Sequence, residues 1–323
     1  MALAVVLLGA CSNGNSDTAD TTVPASTTIA ATPAGAPAPL PTARTEVAGA
    51  VWEGRIMVVG GLTEAGVASD RVDVYDPVTN TWAEGPRLPI GLHHVGLVGF
   101  GERVYLAGGY HNPRPDAAWE SQSRVLSLGP GETSWREEAP LAEPRGGLAL
   151  AAVAGRLVAV GGTGAGGVVR RTEVLVPSEE GGWRPGPDLT EPRDHLAALA
   201  AGGRVYAIAG RQGSLESNLA TVESWDPVGT DGWLPEPPLN DTRGGTSAAV
   251  ANRRPCVAGG EEPGGTIASV ECLLDDRWER VATLQVPRHG LAVIGLTSRL
   301  HVIGGGPQPG LFVSTAHEVF DVP

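Results

Sequence analysis

Four histidines and one glutamate stand where short apolar runs of the chain begin. They are His93, His94, His195, His289 and Glu46. Imidazole and carboxylate groups can transfer protons near neutral pH or bind Zn or Cu. Their spacing matches no metal-binding motif, because ligands supplied by separate structural units leave no local signature. The sequence therefore predicts no metal and no cofactor, and metal binding by converging imidazoles is the alternative.

These residues belong to a repeated frame of Trp, Leu, two Arg and a Gly-Gly pair. One complete unit consists of Trp135, Leu141, Arg145, Arg156, Gly161 and Gly162. The same offsets recur from Trp82, Trp183, Trp233 and Trp278, with Leu92 in place of one first Arg and Ala209 in place of one glycine. The second glycines are 45 to 53 residues apart. Such a period is typical of propellers and solenoids.

The two ends of the chain share one unit. After Gly305 the chain reaches Pro323 before another Trp. The other half of this unit lies near the N-terminus, with Ala34 at the Trp place, followed by Leu40, Arg44, Arg55, Gly60 and Gly61. A sheet built from both ends closes a ring and removes its open edges. We therefore expect an all-β ring of six four-stranded antiparallel blades, in which an N-terminal strand completes the last blade.

The units resemble kelch repeats over about residues 33 to 323. The Gly-Gly pairs carry the resemblance, together with Val-Asp-Val-Tyr-Asp-Pro at 72–77 and Glu-Ser-Trp-Asp-Pro at 223–227. The resemblance implies a β-propeller closed by a strand exchanged between the termini. It also implies that the loops entering the inner strands share one face with the loops after Gly-Gly, and that this face binds ligands.

The candidate binding residues lie on that face, at the mouth of the central channel. Position two after the first Arg supplies three polar residues and three glycines. An enlarged loop spans 26 residues from Gly109 to Trp135, against 18 to 23 in other units, and either carries recognition or is a tolerated insertion. Arg211 has no counterpart in other units and is a candidate anion contact. The predicted binding residues are Glu46, His94, His111, Arg114, Trp119, His195 and Arg211.

The frame Arg and Trp residues recur in nearly every unit. This recurrence favours structural roles: the Arg side chains bond to loop carbonyls between blades, and the Trp side chains pack within blades. An anion-binding ring of arginines is the alternative.

The first residues predict the compartment. Leu8-Gly9-Ala10-Cys11 resembles the lipobox of bacterial lipoproteins, in which the cysteine is acylated. We expect a signal peptide of the lipoprotein type at 1–10, lipidated Cys11, a disordered Ser/Thr/Ala/Pro tether at 11–32, and the propeller at 33–323. A fragment of an ordinary signal peptide or a chance cysteine are the alternatives. The predicted location is extracytoplasmic, at the cell membrane.

The other two cysteines are Cys256 and Cys272. Their midpoint falls in the loop at Gly264-Gly265, so an antiparallel hairpin places them opposite each other. Opposed side chains share one face of a sheet at a separation that a disulfide can span. We predict a disulfide here, with two buried thiols as the alternative.

The composition limits the partners. The formal net charge is −13, and every one of the 23 basic residues is Arg, which together with abundant Ala and Gly indicates a bacterial coding sequence. An acidic surface without basic clusters argues against nucleic acid, and contact with a membrane is expected only through the lipid anchor. We expect a monomer.

Three functions of different classes fit these residues. The first is a binding module that holds a protein, peptide or glycan at the mouth, and it requires no catalytic residue. The second is a sugar isomerase resembling the kelch-type sialic acid mutarotases, with Glu46 and His94 or His195 as acid and base and Arg211 holding the carboxylate. The third is a copper enzyme similar to galactose oxidase, which needs a Cys–Tyr bond, a second Tyr and two His. The sequence favours the binding module, without catalysis.

Overall fold

The computed structural model describes residues 35–323. The predicted signal peptide, lipidated Cys11, the tether and Ala34 lie outside the described residues, and so do the first two residues of the predicted propeller. Within the described part, no helix has the length and apolar character needed to cross a membrane.

Six antiparallel sheets follow one another along the chain, and the strands of each sheet lie in chain order. Blade 1 consists of Ala48–Trp52, Arg55–Val59, Val72–Asp76 and Thr81–Glu84. Blade 2 consists of Gly96–Phe100, Arg103–Ala107, Val125–Leu128 and Arg136–Glu137. Blade 3 consists of Ala149–Val153, Arg156–Val160, Thr172–Leu175 and Arg184–Pro185.

The second half of the ring repeats this plan. Blade 4 consists of Ala197–Ala201, Arg204–Ile208, Val222–Trp225 and Leu234–Glu236. Blade 5 consists of Ser247–Ala251, Arg254–Ala258, Ser269–Leu274 and Arg277–Thr283. Blade 6 consists of Ala292–Leu296, Arg299–Ile303 and His317–Asp321. The loops between second and third strands contain the hairpins Tyr110–His111/Glu120–Ser121, Thr163–Gly164/Gly167–Val168 and Glu261–Glu262/Gly265–Thr266, and the 3-10 turn Leu215–Ser217.

The first strand of every blade lies beside the first strands of both neighbouring blades, so these six strands surround the channel. The ring closes where Ala48–Trp52 meets Ala292–Leu296. The inner strands are rich in Ala and Gly because the blades crowd there. A Cβ at Gly295 would lie 1.8 Å from the Val250 carbonyl oxygen of the neighbouring blade. The predicted six-bladed all-β propeller is confirmed.

The first frame arginine is buried in the five blades that have one, and its role is structural, but its bonds lie within its own blade and not between blades as predicted. The Arg193 side chain donates to the Ala209 carbonyl at 3.0 Å and to Glu223 Oε1 at 2.6 Å. The structure adds an acidic partner from the third strand, which the sequence reading did not include. The five pairs are Arg44–Asp73, Arg145–Glu173, Arg193–Glu223, Arg243–Glu271 and Arg288–Glu318.

The frame tryptophans connect consecutive blades. Each indole N–H donates to a backbone carbonyl that lies four residues past the Trp place of the preceding unit. The pairs are Trp82–Ala38, Trp135–Pro86, Trp183–Ala139, Trp233–Pro187 and Trp278–Pro237. The Trp82 bond joins blade 1 to Ala38, which belongs to the unit that the two ends of the chain share.

The N-terminal segment lies on blade 6. The Leu40 N–H donates to the Thr315 carbonyl at 2.9 Å, and the Ala38 carbonyl lies 2.9 Å from His317 Nδ1. Blade 6 has three strands among the described residues, because residues 35–37, which correspond to the outer strands of blades 2 to 4, form no strand. The two ends meet as expected, through backbone bonds of the described N-terminal segment to blade 6.

The predicted disulfide is present. Cys256 and Cys272 face each other in neighbouring strands of blade 5 and their sulfur atoms are bonded. Both side chains are buried in the core between blades 5 and 6.

Candidate functional site

The site begins with a backbone turn that all six blades share. The residue two positions after the first frame Arg, or after Leu92 in blade 2, has a positive φ in every blade, between 49° and 64°. These residues are Glu46, His94, Gly147, His195, Gly245 and Gly290. Glycine adopts this left-handed conformation freely, whereas it costs other residues about 1–2 kcal/mol each. Three blades therefore carry a strained polar residue where the other three carry glycine.

Backbone hydrogen bonds join these six turns into a ring. Each N–H donates to the carbonyl of the corresponding residue in the preceding blade, at 2.8 to 3.3 Å, and Val47 N closes the ring onto Gly290 O at 3.1 Å. Consecutive donors are His94, Gly147, His195, Gly245 and Gly290. The positions of the three polar side chains are thus fixed by backbone groups of all six blades.

The side chains of Glu46, His94 and His195 converge. One ligand-type atom from each lies within 4.8 Å of the other two. The three residues line both the channel below them and a cavity of about 130 Å³ above them. The remaining walls of the upper cavity are Leu62, Trp119, Arg211, Glu261, His289, Gly310 and Leu311. The structure therefore brings together Glu46, His94, His195, Trp119 and Arg211 of the predicted binding residues.

Glu46 is the centre of the polar contacts. Its Oε2 lies 3.1 Å from His94 Nε2 and its Oε1 lies 3.1 Å from His289 Nδ1. Burial alone would raise the pKa of Glu46, but His94, His289 and His195 hold this pKa below its ordinary value. Burial also opposes protonation of His289, yet its contacts with Glu46 and Glu261 raise its pKa. Each group of the pair therefore favours the charged form of the other.

His93 and His94 meet through their Nδ1 atoms, so one ring donates to the other. The Trp119 ring covers both, with centroids 4.6 Å from His93 and 5.2 Å from His94. Burial lowers the pKa of His93 to about 4 and the pKa of His94 well below its ordinary value, and Glu46 offsets only part of this effect. Both imidazoles are therefore neutral at neutral pH.

Arg211 is held between two acidic residues. Its NH1 lies 2.7 Å from Glu261 Oε1 and its Nε lies 4.0 Å from Asp194 Oδ1. Asp194 also accepts from the Thr163 hydroxyl at 2.7 Å and lies 3.3 Å from His195 Nδ1. These pairings weaken the role of an anion contact that the sequence suggested for Arg211, because its charge is already compensated.

In the enlarged loop of blade 2, Trp119 lies at the cavity, and His111 and Arg114 lie away from it. Trp119 reaches the cavity. The His111 ring instead bonds the Gly91 carbonyl at 2.8 Å, and Arg114 is exposed beside Asp116. His111 and Arg114 are not among the residues that line the cavity. The loop turns there because Asn112 is buried and donates to the Gly66 carbonyl at 2.7 Å.

Three site residues were not among the predicted binding residues: Asp194, Glu261 and His289. Asp194 and His289 come one position after a frame Arg, directly before the left-handed residue. Glu261 directly follows a Gly-Gly pair, as Arg211 follows Ala-Gly. Both positions repeat in every unit. His289 was already among the histidines considered as metal ligands, and considering position one beside position two would have added Asp194.

The copper enzyme requires a cysteine bonded to a tyrosine. Cys256 and Cys272 are bonded to each other, and Tyr75, Tyr105 and Tyr206 lie in blade strands. Tyr110 does lie beside the site, but its hydroxyl faces the Thr163 carbonyl and burial raises its pKa to about 12. The described residues therefore do not assemble the cysteine–tyrosine centre.

Comparison with known proteins agrees with the repeat pattern. The Kelch motif profile matches residues 43–89 and 192–240. Beta-scruin of Limulus polyphemus is 26% identical over 277 residues, which cover 81% of this chain and 25% of that protein. Human Kelch-like protein 34 is 36% identical over 112 residues, which cover 34% of this chain and 17% of that protein. The chain thus spans a quarter or less of the length of these relatives.

A solved structure shows the same fold. The structure of YjhT superposes with a TM-score of 0.76 at 15% sequence identity, covering 88% of this chain and 97% of that one. At this identity the likeness concerns the fold alone. The six blades, the recurrent Gly-Gly turns and the Kelch motif matches together identify a six-bladed β-propeller built of kelch-like repeats.

Proposed function

We propose that the chain is an interaction module that binds a partner protein segment at the mouth of its channel. The observation that carries this proposal is the left-handed backbone of Glu46, His94 and His195. Glycine occupies the equivalent turns in the other three blades, so folding alone does not require a side chain at these positions. Conformational strain of this kind is concentrated at functional sites, where the position of a side chain outweighs its cost.

The rim of the mouth supports a protein partner. Trp119, Leu311 and Phe312 are 46%, 54% and 45% exposed, and the first two line the cavity beside the charged residues. Large apolar side chains around a polar centre are typical of protein interfaces, where aromatic residues contribute most of the affinity. A cavity of about 130 Å³ has room for one side chain of a partner and not for a whole domain.

The charges at the mouth favour a particular kind of side chain. Glu46, Asp194 and Glu261 face Arg211 and His289, and the whole chain carries a formal charge of −13. An anionic group entering the cavity would meet these carboxylates. We therefore expect the partner segment to place a basic or neutral hydrogen-bonding side chain in the cavity and apolar side chains on the rim.

Selection from a random peptide library, with the full-length chain as target, tests this proposal. The mouth variant combines Trp119→Ser, Leu311→Ser and Phe312→Ser. The control variant combines Val78→Ser, Val228→Ser and Val286→Ser, which are 45%, 61% and 40% exposed elsewhere on the ring. Peptides enriched on the wild type should bind the control equally and the mouth variant at least tenfold more weakly. Equal binding to the mouth variant would refute the proposal.

A glycan array probed with the same three proteins separates the other ligand class. Enrichment of neutral glycans on the wild type and the control, without any peptide enrichment, would replace the protein partner by a glycan. Binding of sialic acids that Arg211→Ala abolishes would instead support the sugar isomerase.

We further propose that the module works outside the cytoplasm, anchored through Cys11. The lipobox-like residues 8–11 and the polar stretch behind them support this location, and the Cys256–Cys272 disulfide is compatible with an oxidising compartment. Expressed in a bacterial host, the full chain should partition into the detergent phase of a membrane extract, whereas Cys11→Ser should not. Equal partitioning of the two proteins would argue against lipidation.

A further inference from the structure

We infer that Glu46, His94 and His195 form a binding site for a divalent first-row transition metal such as Zn²⁺. The site lies at the proposed partner face, but it concerns a ligand that can be measured on the protein alone. It revises the sequence-based prediction that the chain has no metal site.

The donor set fits such an ion. Two imidazole nitrogens and one carboxylate oxygen lie within 4.8 Å of one another, so small side-chain movements bring all three to bonding distance of a common cation. Nitrogen donors favour Zn²⁺, Co²⁺ and Ni²⁺, whereas Ca²⁺ and Mg²⁺ prefer sites made of oxygen. Three protein ligands also leave a coordination position open for water or a partner group.

Neighbouring residues orient both imidazoles for this role. His94 Nε2 faces Glu46 at 3.1 Å, while its Nδ1 meets His93 Nδ1. A proton on His94 Nδ1, donated to His93, leaves the lone pair of Nε2 directed toward the carboxylate. His195 Nδ1 lies 3.3 Å from Asp194 Oδ2 without good hydrogen-bond geometry, and a small movement of the ring would let it donate there and leave Nε2 for the cation. A partner on the opposite ring nitrogen is the usual way in which metal-binding histidines are fixed.

A second observation points to a cation at the same place. His289 is only 2% exposed, and its Nδ1 has no hydrogen-bond partner of good geometry, although it lies 3.1 Å from Glu46 Oε1 and 3.6 Å from Glu261 Oε2. Buried polar atoms without partners are uncommon and need an explanation. A cation bound beside Glu46 would displace the proton of His289 and give its Nδ1 lone pair a partner.

The glycines of the other blades supply an unusually mild test. Because Gly147, Gly245 and Gly290 adopt the same backbone conformation, His94→Gly and His195→Gly remove an imidazole without disturbing the turn. Glu46→Gln keeps the shape of the third donor and removes its charge. His111→Ala with Glu120→Gln is the matched control, because it removes the same residue types on the same face, away from the cluster.

Titration calorimetry of the full-length, EDTA-treated chain with ZnCl₂ is the experiment, and the visible absorption of added Co²⁺ reports on coordination independently. The wild type and the control should bind one ion per chain, and each of the other three variants should bind at least tenfold more weakly. Absence of binding to the wild type, or unchanged binding after both glycine substitutions, would overturn the site.

The two proposals can fail separately. If no metal binds while peptides are still selected through the rim, the interaction module stands without the cation. If the metal binds and no peptide is selected, the cation site stands alone. Thermal unfolding of every variant without metal shows whether a lost signal reflects loss of the fold.

Discussion

Leu92 and Leu126 occupy, in blade 2, the two places that an arginine and a carboxylate hold in the other five blades. Leu126 is the second residue of its strand, as Glu173 is in blade 3, and both leucines are buried in one apolar cluster. The two charges are therefore absent together. This agrees with the high cost of burying one charge of a pair and the low cost of replacing both.

Blade 3 should show the same difference between removing one charge of the pair and replacing both. Arg145→Leu leaves Glu173 buried without its cation and should cost about 3–5 kcal/mol of unfolding free energy. Arg145→Leu with Glu173→Leu copies blade 2 and should recover at least half of that loss. Urea unfolding measures both. A double variant no more stable than the single one would show that the arginine acts through its bonds to backbone carbonyls.

Leu40 should stabilise the junction that closes the ring as much as the frame leucine of any other unit stabilises its own junction between blades. Leu40 and Leu284 are both buried, and each donates its backbone N–H to a carbonyl just before the third strand of the preceding blade. Truncation of each to Ala should cost about 2–5 kcal/mol. Chemical unfolding of the two variants side by side is the measurement. A loss below about 1 kcal/mol for Leu40→Ala alone would mean that the N-terminal segment does not hold the ring closed.

The disulfide should contribute measurably to stability. It closes a loop with a sequence separation of 16, for which chain entropy predicts about 3 kcal/mol. Reducing agent should lower the unfolding midpoint of the wild type, while Cys256→Ala with Cys272→Ala should start lower and not respond. Mass spectrometry under non-reducing conditions should find no free thiol at either position. Two free thiols would contradict the bond.

Acid should weaken the junction between the two ends of the chain. His301 and His317 contact each other at 3.0 Å, and burial lowers their pKa values to about 3 and about 4. Between pH 6.5 and these values the unfolded chain binds protons that the folded chain does not, so stability falls as the pH falls. The loss from pH 7 to pH 5 should be roughly 2 kcal/mol for each histidine.

The variant His301→Leu isolates this effect. Its unfolding free energy should depend less on pH than that of the wild type, because one proton-binding group is gone from the unfolded chain. The raised pKa of His289 acts in the opposite direction and is present in both proteins, so it cancels in the comparison. Identical pH profiles of wild type and variant would contradict the assignment.

The repeated frame predicts the fold well because the frame Trp and the first frame Arg have equivalent partners in each of the five units that contain them. Arg193 bonds the carbonyl of Ala209, just as Arg243 bonds that of Gly259. Even the shared unit at the two ends is readable, since the Trp82 indole reaches Ala38 with the usual offset. Because the same contact requires the same residue type in successive blades, the sequence shows that residue repeatedly at a fixed spacing.

The site is harder to predict from the sequence because its residues differ from one unit to the next. Glu46, His94 and His195 were found because they replace glycine at one frame position. The orientation of the long loop could not be found in this way, since the burial of Asn112 decides that Trp119 faces the mouth and His111 does not. The pairing of Arg211 with Glu261 likewise links two blades at a separation that no local pattern encodes.

The hydrogen-bonded ring at the mouth uses only backbone groups, so recognition and assembly are carried by different atoms. A Cβ at Gly147 or Gly245 would find no atom nearer than 3.4 Å, whereas at Gly290 it would lie 2.5 Å from Glu46 Oε1. The ring therefore has space for a side chain at Gly147 and Gly245, whereas the Glu46 side chain occupies this space at Gly290. A new side chain at either vacant place would cost about 1–2 kcal/mol of backbone strain and leave every bond between blades intact. The same ring could thus exchange its ligand chemistry one residue at a time, without rebuilding the propeller beneath it.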